Sequence, residues 1–312
     1  MSRQLLAIFG ATGNQGFSIA NFVLNDRELA QRYNVRAVSR DISNSKMQEL
    51  KSKGAELAQA DLNDPKTLPS ALKDVTHTFF MTTTQYQGGT REIETRQAKD
   101  FCAAAMEAGV QYIIFSSMSH PFEISDGKLK NVEHFDVKAE IEEYIRSLPI
   151  KAAFFAPGSF MQNLQNHMKP RPSPANDGTF VLANCGHGYT ALPLIDITDT
   201  GRWVGAILAD PDKYEGKFFA AAEGLYTMDE TAAIVSKVTG KTVRHHQLPD
   251  EVFRGFMPGP LGDALFEMHV FMRDYGYYGK SMKEDVDWAR KQSKGELRGL
   301  EKFLRAQEYS LE

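Results

Sequence analysis

The segment Leu5-Leu6-Ala7-Ile8-Phe9-Gly10-Ala11-Thr12-Gly13-Asn14-Gln15-Gly16 constrains this chain more than any other. An apolar run ends at a glycine. Two more glycines follow at three-residue intervals, and an apolar helical pattern then begins. A strand, a tight turn and a helix N-terminus need this arrangement when a pyrophosphate is to sit on the turn. Gly10 lets the backbone leave the strand in a conformation barred to residues with a Cβ. Gly13 lets the backbone approach the phosphates, and Gly16 lets the helix pack closely on the strand. The free N–H groups of the first helical turn and the helix dipole favour an anion there, so Thr12, Asn14 and Gln15 join the three glycines as candidate contacts. The spacing is G-x-x-G-x-x-G, not the commoner G-x-G-x-x-G. The preceding strand and following helix supply the context such a motif requires.

The end of the second strand bears on which dinucleotide the turn would take. Asn34 to Arg40 reads as that strand and ends Ser39-Arg40. An acidic residue at this place binds the ribose hydroxyls of NAD, whereas an arginine accommodates the 2′-phosphate of NADP. A guanidinium fork matches a phosphate and stacks on adenine. NADP(H) is therefore the preferred expectation, and Asp41, one residue later, keeps NAD(H) open. Lys46, one turn into the next helix, is placed to add a second charge to the phosphate.

Further strands follow at Gly54 to Asp61, His77 to Met81, Gln111 to Ser117 and Ile150 to Pro157, with helical patterns between them. Alternation of this kind is the signature of βαβ units and a parallel sheet. Right-handed crossovers then bring the loops after the strands to one edge, where ligands bind. Gly10 to Gly16, Arg40, Asp61, Thr82 to Thr84 and Ser116 to Ser119 are expected to converge there. Asp61 is placed to meet an adenine amino group, with a helix-cap role equally open. His134 and Lys138 are four apart and share a helix face.

From about residue 165 the alternation stops. Short strands are expected at Thr179 to Leu182 and Lys217 to Ala222. Thr227-Met228-Asp229-Glu230 opens a helix to Gly240 as a capping box. Pro249 to Glu308 is helical and rich in Met, Phe and Tyr. This second half reads as a smaller lobe closing over the sheet edge. A net charge of −4 over 312 residues gives no reason to expect a nucleic-acid-binding surface. No apolar run reaches the roughly 20 residues that span a bilayer. Cys102 and Cys185 form neither a disulfide framework nor a metal spacing, and no metal is expected. A reducing location, cytoplasmic or nuclear, fits these features.

Taken together, Gly10 to Gly16, Ser39-Arg40, Asp61-Leu62, the segment His134 to Glu140, Pro157-Gly158-Ser159-Phe160-Met161-Gln162-Asn163 and Leu194 to Gly201 resemble the NmrA-like family of atypical short-chain dehydrogenases. The resemblance runs over nearly the whole chain. It implies an α/β fold: a doubly wound parallel-sheet Rossmann domain that binds NADP(H) or NAD(H), with a smaller mixed α+β C-terminal lobe. The expected division is 1–157 for the Rossmann core and 158–312 mainly for the lobe, with segments at about 190–210 returning to the core. It also implies cofactor contacts from Leu62, Thr82, Thr83, Lys138, Pro157, Phe160 and Asn163. The family contains regulators that contact a transcription factor, redox sensors and working reductases.

Catalytic short-chain dehydrogenases use a Tyr-x-x-x-Lys pair. His134-Phe135-Asp136-Val137-Lys138 stands where that pair would fall, so the lysine is kept and the tyrosine is replaced by histidine. The usual serine partner would fall near Ser116, Ser117 or Ser119, with Ser117 the candidate, and Met118 is a competitor for the key place. Lys138 is expected either to hydrogen-bond the nicotinamide ribose of a redox-responsive binder or, with His134, to serve as general acid to a small carbonyl, enone or quinone. An imidazole titrating near neutral pH suits that second role. The leading expectation is a regulator or sensor with a protein partner. An NADPH-dependent reductase with a small-molecule substrate is the alternative.

Overall fold

The computed structural model describes residues 3–86 and 88–311. Thirteen strands are present among them: β1 Gln4–Phe9, β2 Tyr33–Ser39, β3 Glu56–Gln59, β4 His77–Phe80, β5 Tyr112–Ser116, β6 Lys151–Pro157, β7 Ser159–Phe160, β8 Arg171–Pro172, β9 Phe180–Asn184, β10 Ala191–Ile195, β11 Phe218–Ala221, β12 Gly224–Thr227 and β13 Val243–Gln247. Seven of them form one sheet in the order β11-β6-β5-β4-β1-β2-β3, every neighbour parallel. The chain runs outward one way from β1 to β3, then returns to β4 beside β1 and runs the other way. The switch point between β1 and β4 is where an open α/β sheet leaves a crevice at its carboxyl edge.

Both faces of this sheet are covered, as its apolar strands require. Leu6, Ile8 and Ile114 point to one face, where they bury against Ile19 and Val23 of the helix Asn14–Asn25 and Trp203 and Ile207 of the helix Thr200–Ala209. Ala7, Phe9 and Phe115 point to the other, against Phe101 and Cys102 of the helix Thr90–Glu107 and Val137 and Ile141 of the helix Glu133–Arg146. The seventh strand, β11, lies far along the chain. Its Phe218-Phe219-Ala220-Ala221 run is apolar on both faces and adds beside β6, so this segment belongs to the main sheet and not to the lobe alone.

The remaining strands form two three-stranded sheets, β12-β10-β7 and β13-β9-β8. They enclose a third apolar core with Met161, Leu192, Val235, Phe271, Tyr277 and Phe303. The expected capping box is formed: Thr227 Oγ1 accepts from the Glu230 N–H and the Glu230 carboxylate accepts from the Thr227 N–H at 2.8 Å. That helix, Met228–Thr239, ends on Gly240 in the left-handed conformation. Tyr277 and Tyr278 donate their hydroxyls to the Pro157 and Ala156 carbonyls at 3.3 and 2.8 Å, which fastens the C-terminal region to the end of β6.

Candidate functional site

The glycine turn has the form its sequence predicts. Gly10 takes φ +71°, in the left-handed region, and its carbonyl accepts from the Gly13 N–H at 2.9 Å. A Cβ on Gly16 would lie 2.4 Å from the Gly10 oxygen, and one on Gly13 would lie 3.2 Å from the same atom. The helix Asn14–Asn25 begins directly behind the turn. Among the described residues no side chain caps its N-terminus, and no acidic residue stands in its first turn. Helix N-termini leave N–H groups unsatisfied and carry a partial positive charge. An uncapped N-terminus behind a turn this tight fits a dinucleotide pyrophosphate on both shape and charge.

The loops after the strands meet around this turn. Lys46 donates to the Thr12 carbonyl at 3.1 Å. Thr12 and Ser39 hydroxyls lie 3.5 Å apart, and Gln59 donates to the Arg40 carbonyl at 3.0 Å. Arg40 is exposed, and among the described residues nothing takes its guanidinium. The Asp41 carboxylate is occupied by its own turn, accepting from the Ser43 N–H and hydroxyl. The basic pair Arg40 and Lys46 is thus held beside the turn, while the acid is folded into local bonds. The Asp61 carboxylate accepts from the Asn63 N–H, a turn role, and Leu62 is half-buried against the sheet helices. Gln15 is buried and bonds the Ser116 hydroxyl at 2.9 Å, tying the first turn of the helix to the end of β5. Pro157 gives its carbonyl to Tyr277, Phe160 is half-buried in β7, and the Asn163 carbonyl accepts from the Asn166 and Met168 N–H groups.

All three serines at the end of β5 are buried. Ser117 has no exposed surface; its hydroxyl faces the Met118 and Lys138 carbonyls at 3.4 and 3.5 Å and the Glu142 carboxyl. It offers no hydroxyl to a substrate. Ser119 is buried and donates to the Tyr277 carbonyl at 2.6 Å. Met118 and His120 are the half-buried residues of the loop, with Met118 between the two buried serines.

Lys138 is held in a buried polar cluster. Its Nζ lies 2.5 Å from Glu94 Oε2, 3.2 Å from Thr82 Oγ1 and 3.4 Å from the Thr82 carbonyl. Thr82 Oγ1 also donates to Glu94 Oε2, and Thr90 Oγ1 donates to Glu94 Oε1 at 2.9 Å. The neighbouring Gln97 joins the Thr83 N–H to the Asn63 side chain. Burial pulls the Lys138 ammonium below its ordinary value, and the Glu94 carboxylate opposes that pull. Burial, with Lys138 nearby, pulls His134 down to about 4. Its imidazole is therefore neutral at neutral pH, which differs from the near-neutral titration expected for a general acid. The ring of Tyr86, 62% exposed, stands 6.0 Å from that of His134.

Glu94 and Gln97 are the site residues that the motifs do not announce. Their signal is a helical stripe. Thr90, Glu94, Gln97, Ala98, Phe101, Cys102 and Ala105 all lie on the buried face of one helix, so polar residues continue an apolar stripe toward the sheet edge. Elsewhere, a depression of about 520 Å³ lies at the opposite, amino-terminal edge, lined by Arg3, Asn34, Glu56 and Asp74 among others. A void of about 10 Å³ between Phe160, Leu192 and Met228 is too small to take a substrate. Among the described residues no helix is long and apolar enough to cross a membrane, and no three His, Cys, Asp or Glu side chains are grouped to hold a metal ion.

Comparisons with known proteins agree with this architecture. A Dictyostelium discoideum NmrA-like family domain-containing protein is 30% identical over 252 residues, 78% of this chain and 80% of the relative. The NmrA-like family domain-containing oxidoreductase hkm9 of Aspergillus hancockii is 27% identical over 297 residues, 88% of this chain and 84% of the relative. The crystal structure of NmrA, a negative transcriptional regulator in complex with NADP, superposes with a TM-score of 0.78 at 24% identity, over 98% of this chain and 95% of that one. The profile of the NmrA-like family matches residues 2–309, and the chain belongs to that family.

Proposed function

We propose that this protein binds NADP(H) and acts as a redox-responsive regulator or sensor. The observation that carries the cofactor assignment is the uncapped N-terminus of the helix Asn14–Asn25 behind the Gly10–Gly16 turn. Asn14 and Gln15 would hold the pyrophosphate through backbone N–H groups, and Arg40 with Lys46 would hold the 2′-phosphate. Lys138 would donate to the nicotinamide ribose from the far side of the switch point. NmrA, which has the same fold, forms a complex with NADP, which supports a dinucleotide as the ligand. NADPH supplies a hydride when bound.

The balance between sensing and catalysis turns on proton donors. His134 is held neutral, Ser117 is buried, and Met118 is half-buried at the end of β5. At the positions where a Ser–Tyr hydroxyl pair would stand, Ser117 is buried and His134 replaces the tyrosine, which favours the sensor. The second reading is an NADPH-dependent reductase of a small carbonyl, enone or quinone. It is favoured by the retained, charge-paired Lys138 and by oxidoreductase relatives such as hkm9. In that case Lys138 is the group that can give a proton or a hydrogen bond to the substrate oxygen.

The deciding experiment is NADPH oxidation by the purified protein against quinones, enones and aldehydes, with Lys138→Ala in parallel. The sensor reading predicts bound NADPH, no turnover and unequal affinities for NADPH and NADP⁺. Turnover that disappears in Lys138→Ala would replace it with the reductase reading.

A further inference from the structure

We propose that Glu94 is the positioning residue for Lys138, holding its ammonium charged and aimed so that its weakest-held N–H is handed to the ribose of the bound dinucleotide. This rests on the assignment of Lys138 to the nicotinamide end made above. Glu94 is fully buried, and the Lys138 side chain is 12% exposed. An isolated ammonium at such a depth sheds its proton more readily than one in water. The carboxylate restores the charged form because it lies in contact with Nζ. Glu94 is itself fixed: Thr82 and Thr90 hydroxyls donate to its two oxygens, so the carboxylate cannot turn away to solvent.

The geometry also divides the three donors of the ammonium. One N–H is directed to Glu94 and one to the Thr82 hydroxyl at 3.2 Å. The third has only the Thr82 carbonyl at 3.4 Å, a weak bond, and is the one free to be given to a ligand. Glu94 comes from the helix after β4, Thr82 from the loop before it, and Lys138 from the helix after β5. The pair therefore joins two neighbouring helices on the β4–β5 side of the switch point, behind the place where the nicotinamide half would lie.

The other titratable groups around the pair are His134, Tyr86, Asp136 and Glu142. His134, one turn before Lys138, is pulled to about 4, and loss of Glu94 would lower it further because that carboxylate raises it. Partial burial and the Glu94 carboxylate hold the Tyr86 phenol above its ordinary value. Asp136 and Glu142, on the same helix as Lys138, complete the set. Burial pushes Glu142 up, with Arg146 opposing through an ion pair that Glu94 does not share.

The test is the NADPH dissociation constant of wild type and Glu94→Gln, measured by fluorescence from pH 6.0 to 8.5. The ratio of the two constants at each pH cancels the titration of the cofactor itself. A charge-assisted hydrogen bond is about twice as strong as a neutral one, so the ratio is expected to grow by about fivefold to tenfold as pH rises and Lys138 of the variant loses its proton. A ratio constant within about twofold would overturn the proposal, since a purely structural role weakens binding equally at every pH. If Glu94→Gln does not fold, Glu94→Asp takes its place: a carboxylate one methylene short gives a smaller rise in the same direction, and a flat ratio again overturns the proposal. Lys138→Met, measured alongside, isolates the assignment beneath it. Wild-type affinity in Lys138→Met would remove Lys138 from the cofactor site, and the proposal with it. Weakened affinity there, with a flat ratio for the Glu94 variants, would reject the role of Glu94 alone.

Discussion

Gly16 sits so close under Gly10 that a Cβ on Gly16 would lie 2.4 Å from the Gly10 carbonyl oxygen and 2.7 Å from its carbonyl carbon. The obstruction is backbone, which no side-chain rotation can relieve. Gly16→Ala must push the helix away from the turn and move the N–H groups that are to face the pyrophosphate. We expect a folded but less stable protein, lower by about 1–3 kcal/mol as for other overpacked sites, with NADPH affinity down by at least about tenfold if the helix N-terminus contributes its full share. Urea unfolding and NADPH fluorescence titration check the two effects separately.

Under the proposed function, Arg40 would carry the preference for the phosphorylated cofactor. Its guanidinium is exposed and unengaged among the described residues, whereas the Asp41 carboxylate is taken up by Ser43. Removing one charge-assisted bond costs about 1.5–3 kcal/mol. Arg40→Ala is therefore expected to weaken NADPH binding by about tenfold to a hundredfold and to leave NADH binding within about threefold. Equal losses for both cofactors would show that Arg40 does not read the 2′-phosphate.

The Lys138–Glu94 pair should be visible in stability as well as in binding. Breaking a buried ion pair from one side leaves an uncompensated charge and costs about 3–5 kcal/mol. Lys138→Met and Glu94→Gln are each expected to destabilise on that scale, and the double variant is expected to lose much less than their sum. A double-mutant cycle by urea unfolding measures the difference. Additive losses would mean that the two side chains do not interact.

A second charged contact sits at the start of the same helix. His120 Nδ1 lies 2.8 Å from the buried Asp136 carboxylate, which also accepts from the Phe122 N–H. Burial alone would lower His120, but Asp136, helped by Glu123 and Glu140, outweighs it and the net direction is upward. A histidine raised in the folded state contributes stability that is complete below its unfolded value of about 6.5 and is lost as pH rises through the folded value. His120→Asn should therefore cost most at about pH 5.5, by about 1.5–3 kcal/mol for a bond to a charged group, and progressively less toward pH 8.5. Melting temperatures of the two proteins across that range should converge as pH rises. A gap that is constant or widens would contradict the assignment.

Much of this arrangement is readable in the chain because single residues carry it. Apolar runs such as Leu5–Phe9 and His77–Met81 are too continuous for half-exposed strands and mark β1 and β4 of a sheet covered on both faces. Gly10 and Gly16 announce the turn because nothing larger fits there. β11 is harder to place. Phe218–Ala221 is an ordinary apolar tetrapeptide, and only pairing with β6, about sixty residues earlier, makes it the seventh strand. The fate of Ser117 depends on a register of one residue at the end of β5, which periodicity does not fix. Glu94 escapes for another reason. A lone acid in a helix reads as solvated surface, and its burial becomes apparent only when Thr82 and Lys138 arrive from other parts of the chain. The imidazole of His134 shows the same limit, since neutrality at ordinary pH follows from burial beside an ammonium and not from its spacing to Lys138.

The most direct test of the central claim is calorimetric titration of NADPH into wild type and Gly13→Val. A valine there sets a branched Cβ 3.2 Å from the Gly10 oxygen, at the N-cap position of the helix whose N–H groups are to face the pyrophosphate. One NADPH is expected to bind per wild-type chain, and the Gly13→Val protein is expected to keep its circular-dichroism spectrum but lose the binding heat. Unchanged NADPH affinity in a folded Gly13→Val protein, or no binding to wild type at all, would contradict that claim.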